Sequence, residues 1–147
     1  MVHELRLKLL KKGVEVWNRY RAEEEFFNPD FTGADLSGMK LVEANMAVSD
    51  FTNATLSNAD LRAARLQGSH FTRTNLRDTL LGGTDFERAH LDGADFTDAQ
   101  IWNAHFLDED LSASIGLETC RHRSASSVDQ HTLLHSKNVP PIFLAQL

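Results

Sequence analysis

Four residues near the C-terminus have the side chains that ligate metal: Cys120, His122, His131 and His135. Thiolate and imidazole are donors that tetrahedral zinc takes, and a four-residue separation puts His131 and His135 on one face of a helix. Cys120 and His122, however, are separated by a single residue, tighter than usual for zinc ligands, and no paired Cys-x-x-Cys accompanies them. They read as solvated tail residues, and no metal is expected. The chain also lacks a glycine-rich phosphate loop and a nucleophile motif, so no cofactor and no enzymatic activity are expected. What remains is charge. Residues 29–77 balance five acidic against five basic side chains, whereas residues 78–113 hold nine acidic residues against Arg88 alone. That acidic stretch contains Asp78, Asp85, Asp92, Asp95, Asp98, Asp108 and Asp110.

The elements that position these groups follow from a period of five. From Pro29 to Ala113 the chain divides without insertion into seventeen five-residue units. The third residue of every unit is large and apolar: Phe31, Leu36, Leu41, Met46, Phe51 and so on to Phe106 and Leu111. The first residue is mostly Ala, Ser or Thr, the exceptions being Pro29, Met39 and Glu109. A period of five matches neither an α-helix nor a flat strand. In an extended step the first and third residues point to one side and the second to the other. The fourth and fifth are turn formers such as Ser, Thr, Gly, Asn and Asp. A chain that corners every five residues and always buries the same side must coil around an axis. Small first residues let the walls approach, and large third residues fill the interior.

Units such as ADLSG, NADLR and GADFT resemble the A-(D/N)-L-x-x pattern of the pentapeptide-repeat family, and the match covers 85 of 147 residues. The resemblance implies an all-β fold, a right-handed quadrilateral β-helix with four units per coil. Seventeen units then make about four coils, a stack roughly 20 Å tall. Under a twenty-residue coil, Phe31, Phe51 and Phe71 stack inside, with Phe51 fully buried. Asp30, Asp50, His70, His90 and Asp110 form an outward ladder, read as ordinary packing rather than a catalytic cluster. Val42, Leu80 and Trp102 lie outward on the third wall, and Val48 and Leu107 on the next. An outward tryptophan suggests cover by the tail or by another chain.

A solenoid needs caps, because its ends expose apolar rungs and unpaired backbone. Residues 1–28 are expected to form an N-terminal helical cap. Leu5, Leu9, Val16 and Tyr20 recur at helical spacing over residues 2–25, Gly13 weakens the centre, and Asn28-Pro29 ends the helix. The repeats occupy 29–113. They stop where Glu109 takes an inward position and Gly116 falls where a large apolar residue belongs. Residues 114–147 are read as a capping or docking tail that keeps Leu117, Leu133, Leu134, Ile142, Phe143 and Leu144. The run SSVDQHTLLHSKNVPPIFL resembles a tail segment of bacterial pentapeptide-repeat proteins, some of which carry an effector domain beyond it. This sequence stops at Leu147, so no effector is expected.

Composition sets the remaining bounds. The chain has 147 residues, 41% hydrophobic and 24% charged, with a net charge of −6. It suggests one domain with small appendages and no direct nucleic-acid binding. No apolar run reaches the roughly 18 residues of a membrane helix, and no signal peptide is evident. The single cysteine fits a reducing compartment, so a cytoplasmic location is expected. The expected function is a non-catalytic protein-interaction or scaffold module. Its partner is another protein or a second copy, and its binding surface includes Val42, Leu80, Trp102 and Leu107. The alternative is an acidic DNA mimic that binds DNA gyrase, as some family members do, through the seven aspartates named above.

Overall fold

A computed structural model describes residues 2–24 and 28–145. Parallel β-bridges join residues twenty apart: Asp30 to Asp50, Asp50 to His70, Asp35 to Thr55, Asp60 to Leu80. The bonds follow one rule. Through the first three coils the third-position amide donates to the second-position carbonyl one coil on, as Phe31 N does to Asp50 O (2.7 Å). Each second-position amide donates back to a first-position carbonyl, as Asp50 N does to Pro29 O (2.8 Å). Four units therefore make one turn of a parallel stack. The extended steps are so short that only β1 (Leu80–Gly82), β2 (Gln100–Trp102) and β3 (His105–Phe106) within the repeats pair over two or more residues.

Each position of the unit has a physical task. Third residues fill the interior: Phe31, Phe51 and Phe71 are 0% exposed and stack at 5.4 and 4.9 Å between ring centroids. Buried hydroxyls at the first position need acceptors, and three of them find one on the preceding coil, while Thr79 Oγ1 donates to Leu76 O beside it. Ser69 Oγ donates to Met46 O, Thr74 Oγ1 to Phe51 O and Thr84 Oγ1 to Leu61 O. Second-position Asp or Asn closes the following turn, its Oδ1 accepting the amide two residues on, as at Asp30–Thr32, Asp50–Thr52 and Asn75–Arg77. The fifth residue makes the corner. From Gly33 to Asp108 every fifth residue is left-handed, with φ between 49° and 69°.

A left-handed residue with a branched Cβ is strained. Val48 is such a residue, at φ 52° and 44% exposed. Val48→Gly is therefore expected to raise stability by about 1 kcal/mol. A higher urea midpoint would show it, and a fall in midpoint would contradict the strain.

The N-terminal segment differs from the single helix expected over 2–25. It forms α1 (Val2–Lys11) and α2 (Val14–Glu23), broken at Gly13, whose φ of 118° a side-chain-bearing residue rarely adopts. Glu25 lies outside the described residues. The pair caps the first coil. Trp17 is 0% exposed, its ring 5.6 Å from Phe31, and its Nε1 donates to Asn45 O at 2.8 Å. Asn18 Oδ1 accepts from Asn45 N, Asn18 Nδ2 donates to Glu43 O, and Arg21 Nη2 donates to Ala47 O. Asn45 N, Asn45 O and Ala47 O are backbone groups that, deeper in the stack, an adjacent coil would pair.

Pairing continues past Ala113. Ile115 bridges to Asp95, β4 (Arg121–His122) pairs with β2, and β5 (Ser127–Val128) pairs with β3. The register lengthens from twenty residues at Asp95–Ile115 to twenty-one at Gln100–Arg121 and twenty-two at His105–Ser127. A 3-10 turn at Leu117–Thr119 accompanies the first slip. Then α3 (Gln130–His135) and α4 (Pro141–Leu144) close the end. Phe143 is buried, edge-on to Phe106 and His122. The tail therefore extends the stack along its axis instead of folding back over the wall that bears Trp102.

Candidate interaction surface

The groups singled out for metal chemistry do not converge. Among the described residues no cluster of three or more His, Cys, Asp or Glu is placed to hold a metal ion. Cys120 donates to Phe96 O, and burial, with Glu118, Asp98 and Asp95 adding to it, pushes its thiol up to about 12. His122 turns inward against Phe143, and burial holds its pKa below the ordinary imidazole range. His131 and His135 do stack, 3.9 Å apart, but on the surface of α3, where His131 Nδ1 meets Asp108 Oδ1 at 3.0 Å.

The outward ladder forms as far as His90. Bridges link Asp30, Asp50, His70 and His90, and the last two rings stack at 4.5 Å. No bridge joins His90 to Asp110 among the described residues. Asp110 instead closes its own turn through Ser112, a hydrogen bond that draws its pKa below the usual carboxylate range.

The seven aspartates of the acidic stretch are dispersed. Asp92 and Asp110 belong to first units of a coil, Asp78, Asp95 and Asp98 to second units, and Asp85 and Asp108 to fourth units. Six of them serve the repeat. Asp85, Asp95 and Asp110 accept turn amides. Asp78, Asp98 and Asp108 occupy left-handed corners, which Asp and Asn tolerate better than most residues. Three are also ion-paired: Asp95 with Arg77, Asp98 with Arg121, and Asp108 with Arg88, its other oxygen meeting His131 Nδ1. Asp92 alone of the seven has neither task among the described residues.

The four outward apolar residues are all half-buried and do not make one patch. Val42 and Trp102 are separated by Arg62 and Gly82 in the same column, and Leu107 lies on the next unit. Trp102 has its own partners. Its indole lies over Gly82, where a Cβ would collide with the ring, and the Arg123 guanidinium sits 5.2 Å from its centroid on the next coil. Arg123 is in turn held by Gln100 Oε1 at 2.7 Å. The tail thus covers Trp102 through one arginine.

Large exposed apolar side chains concentrate elsewhere. Leu133 (50%), Leu134 (67%), Ile142 (56%) and Leu144 (39%) project from the C-terminal cap, and Ile115 (53%) is exposed on the last coil. The sequence signal was the apolar content of the tail; which of those residues turn outward was not readable, since Leu117 and Phe143 from the same set are buried. Two surface hollows are shallow, one between α2 and the first two coils (Asn18, Glu43, Asn45, Arg65), the other beside Val48. Among the described residues no helix is long and apolar enough to cross a membrane.

Comparison with known proteins follows this geometry. The sequence model of a family described as pentapeptide repeats matches residues 30–68 and 69–106, in 8 copies. No curated protein matches in sequence. Among solved structures, the chain is similar to a pentapeptide repeat protein from the Arabidopsis thaliana thylakoid lumen. Identity is 17% and the TM-score 0.54, over 80% of this chain and 89% of that one. A pentapeptide repeat protein from Nostoc Pcc 7120 matches at 26% identity and TM-score 0.35, over 85% of each chain. QnrB1, a plasmid-mediated fluoroquinolone resistance protein, matches at 17% identity and TM-score 0.36, over 82% of this chain and 85% of that one.

Proposed function

The chain belongs to the pentapeptide-repeat family, and from that premise we propose that it is a non-catalytic protein-interaction module acting through its outer surface. The observation that carries this reading is the filled interior: third-position side chains from Phe31 to Phe106 are at most 1% exposed. A solenoid with such a core has only its outside to work with. The family cross-section, a right-handed quadrilateral coil, and a cytoplasmic setting belong to the same proposal.

The contact surface we assign first is the C-terminal cap, where Leu133, Leu134, Ile142 and Leu144 are solvent-facing. Val42, Leu80, Trp102 and Leu107 form a secondary, discontinuous surface. A second copy of the chain is the simplest occupant, because an apolar patch is complementary to itself in a two-fold interface. Sedimentation of the full chain tests this. A concentration-dependent dimer in the wild type, absent in Leu134→Ser/Ile142→Ser, supports the reading. A monomer throughout, with no partner whose cross-linking the variant abolishes, overturns it.

An acidic DNA mimic is the rival reading. The dispersal of the seven aspartates over three units of the coil, and the turn and corner duties of six, weigh against it. Inhibition of gyrase supercoiling, lost in Asp92→Lys while the fold is retained, would reverse that order.

A further inference from the structure

Glu109 stands in a column that otherwise holds Pro29, Ser49, Ser69 and Ala89. It is 3% exposed, and neither carboxyl oxygen has a hydrogen-bond partner among the described residues. The neighbouring Ala89 N–H is committed to Phe86 O at 2.8 Å. Asp85 and Asp108 on the fourth units, and Asp129 at the start of α3, surround it, with His131 of α3 held by Asp108. A carboxylate in this site would be buried beside three like charges, eased only in part by the Ala89 N–H. Burial first, opposed by the Ala89 N–H and reinforced by those three carboxylates, pushes the pKa up to about 10, so the group is neutral at neutral pH.

The backbone departs from the repeat at the same point. The left-handed corners end at Asp108, and the bridge ladder through His90 goes no further. A side chain too long for its column displaces the backbone around it. The amides of Glu109 and Leu111 turn instead to the cap, donating to Thr132 Oγ1 (3.1 Å) and Ser136 Oγ (3.0 Å). Asp108 N donates to Asp129 Oδ1, which also caps α3 through Thr132 N.

We propose that Glu109 is a proton-operated latch between the stack and its C-terminal cap. With its carboxyl neutral, the last unit and α3 close over the coil; when the carboxyl O–H bond breaks and the proton passes to solvent base, residues 109–136 open while the earlier coils stay folded. The closed segment binds a proton that the open one, with an ordinary glutamate, releases above about pH 4.5. Closure is therefore strongest at low pH and weakens as pH rises, until the closed form also ionises near pH 10. One linked proton changes the opening constant by at most about tenfold per pH unit.

Hydrogen exchange of the full chain between about pH 6 and 9, corrected for intrinsic amide rates, reads this directly. The wild type is expected to show opening of residues 109–136 that increases several-fold to about tenfold per pH unit, with no such slope in residues 49–77. Glu109→Gln should remove the slope, leaving Asp85, Asp108, Asp129 and His131 unchanged. Glu109→Ala, which copies Ala89 one coil below, should do so too and serves if the glutamine variant misfolds. A wild type without slope, or a slope that survives in these variants, overturns the latch.

Discussion

Phe51→Ala is expected to lower stability by about 3–5 kcal/mol. Phe51 is 0% exposed and stacked between Phe31 and Phe71, so its removal leaves a void bounded by rings that belong to other coils. Those coils are fixed by parallel backbone bonds on both sides, such as Phe51 N to His70 O (2.8 Å) and Asp50 N to Pro29 O (2.8 Å), and cannot collapse inward. The loss is measurable as a fall in the urea midpoint at unchanged slope. Phe51→Leu, which keeps most of the volume, should cost much less. A loss below about 1 kcal/mol for alanine would mean that the interior is not close-packed.

Trp17→Ala should also cost about 3–5 kcal/mol, with a different spatial signature. The indole covers Phe31, the topmost ring of the stack, and its Nε1 satisfies Asn45 O. Without it the first coil presents an apolar rung and an unpaired carbonyl to water. In a solenoid each repeat contacts only its neighbours, so the damage spreads from the end. Amides of residues 31–48 should lose exchange protection first, while those around Phe86 and Phe96 keep theirs. Trp17→Phe preserves most of the packing and drops the hydrogen bond, so it should cost about 1 kcal/mol plus a small packing loss. Uniform loss of protection along the stack would show that the chain unfolds as one unit rather than fraying from its cap.

Much of the candidate surface was only half legible. The acidic bias of residues 78–113 is plain in the sequence, but its cause is not. Asp85 and Asp95 are there to close turns and Asp78 and Asp98 to form left-handed corners. These duties emerge only when each unit is seen as an extended step and a corner. Trp102 looked like a residue awaiting cover. Its neighbour in the column, Gly82, lies twenty residues away in sequence, and Arg123 twenty-one, in a tail whose register had slipped by one. No pattern in fives reaches across that slip.

The sequence alone determined the repeat and its inward and outward positions, while the four units per coil that stack Phe31, Phe51 and Phe71 were implied by the family resemblance. The reason is that one local rule, repeated every five residues, acts between neighbours in identical surroundings, so the same side chain answers the same need each time. Only the tertiary structure decided the ends. Gly13 divides the N-terminal segment into two helices, and Trp17 and Asn18 reach 27 or 28 residues forward to pair Asn45. Ser136 reaches back 25 residues to take the Leu111 amide that a further coil would have taken, and Thr132 reaches back 23 to take that of Glu109. Such bonds satisfy backbone groups that exist only because the stack terminates there. Their partners are set by where a non-repeating chain lies in space, which no periodicity encodes.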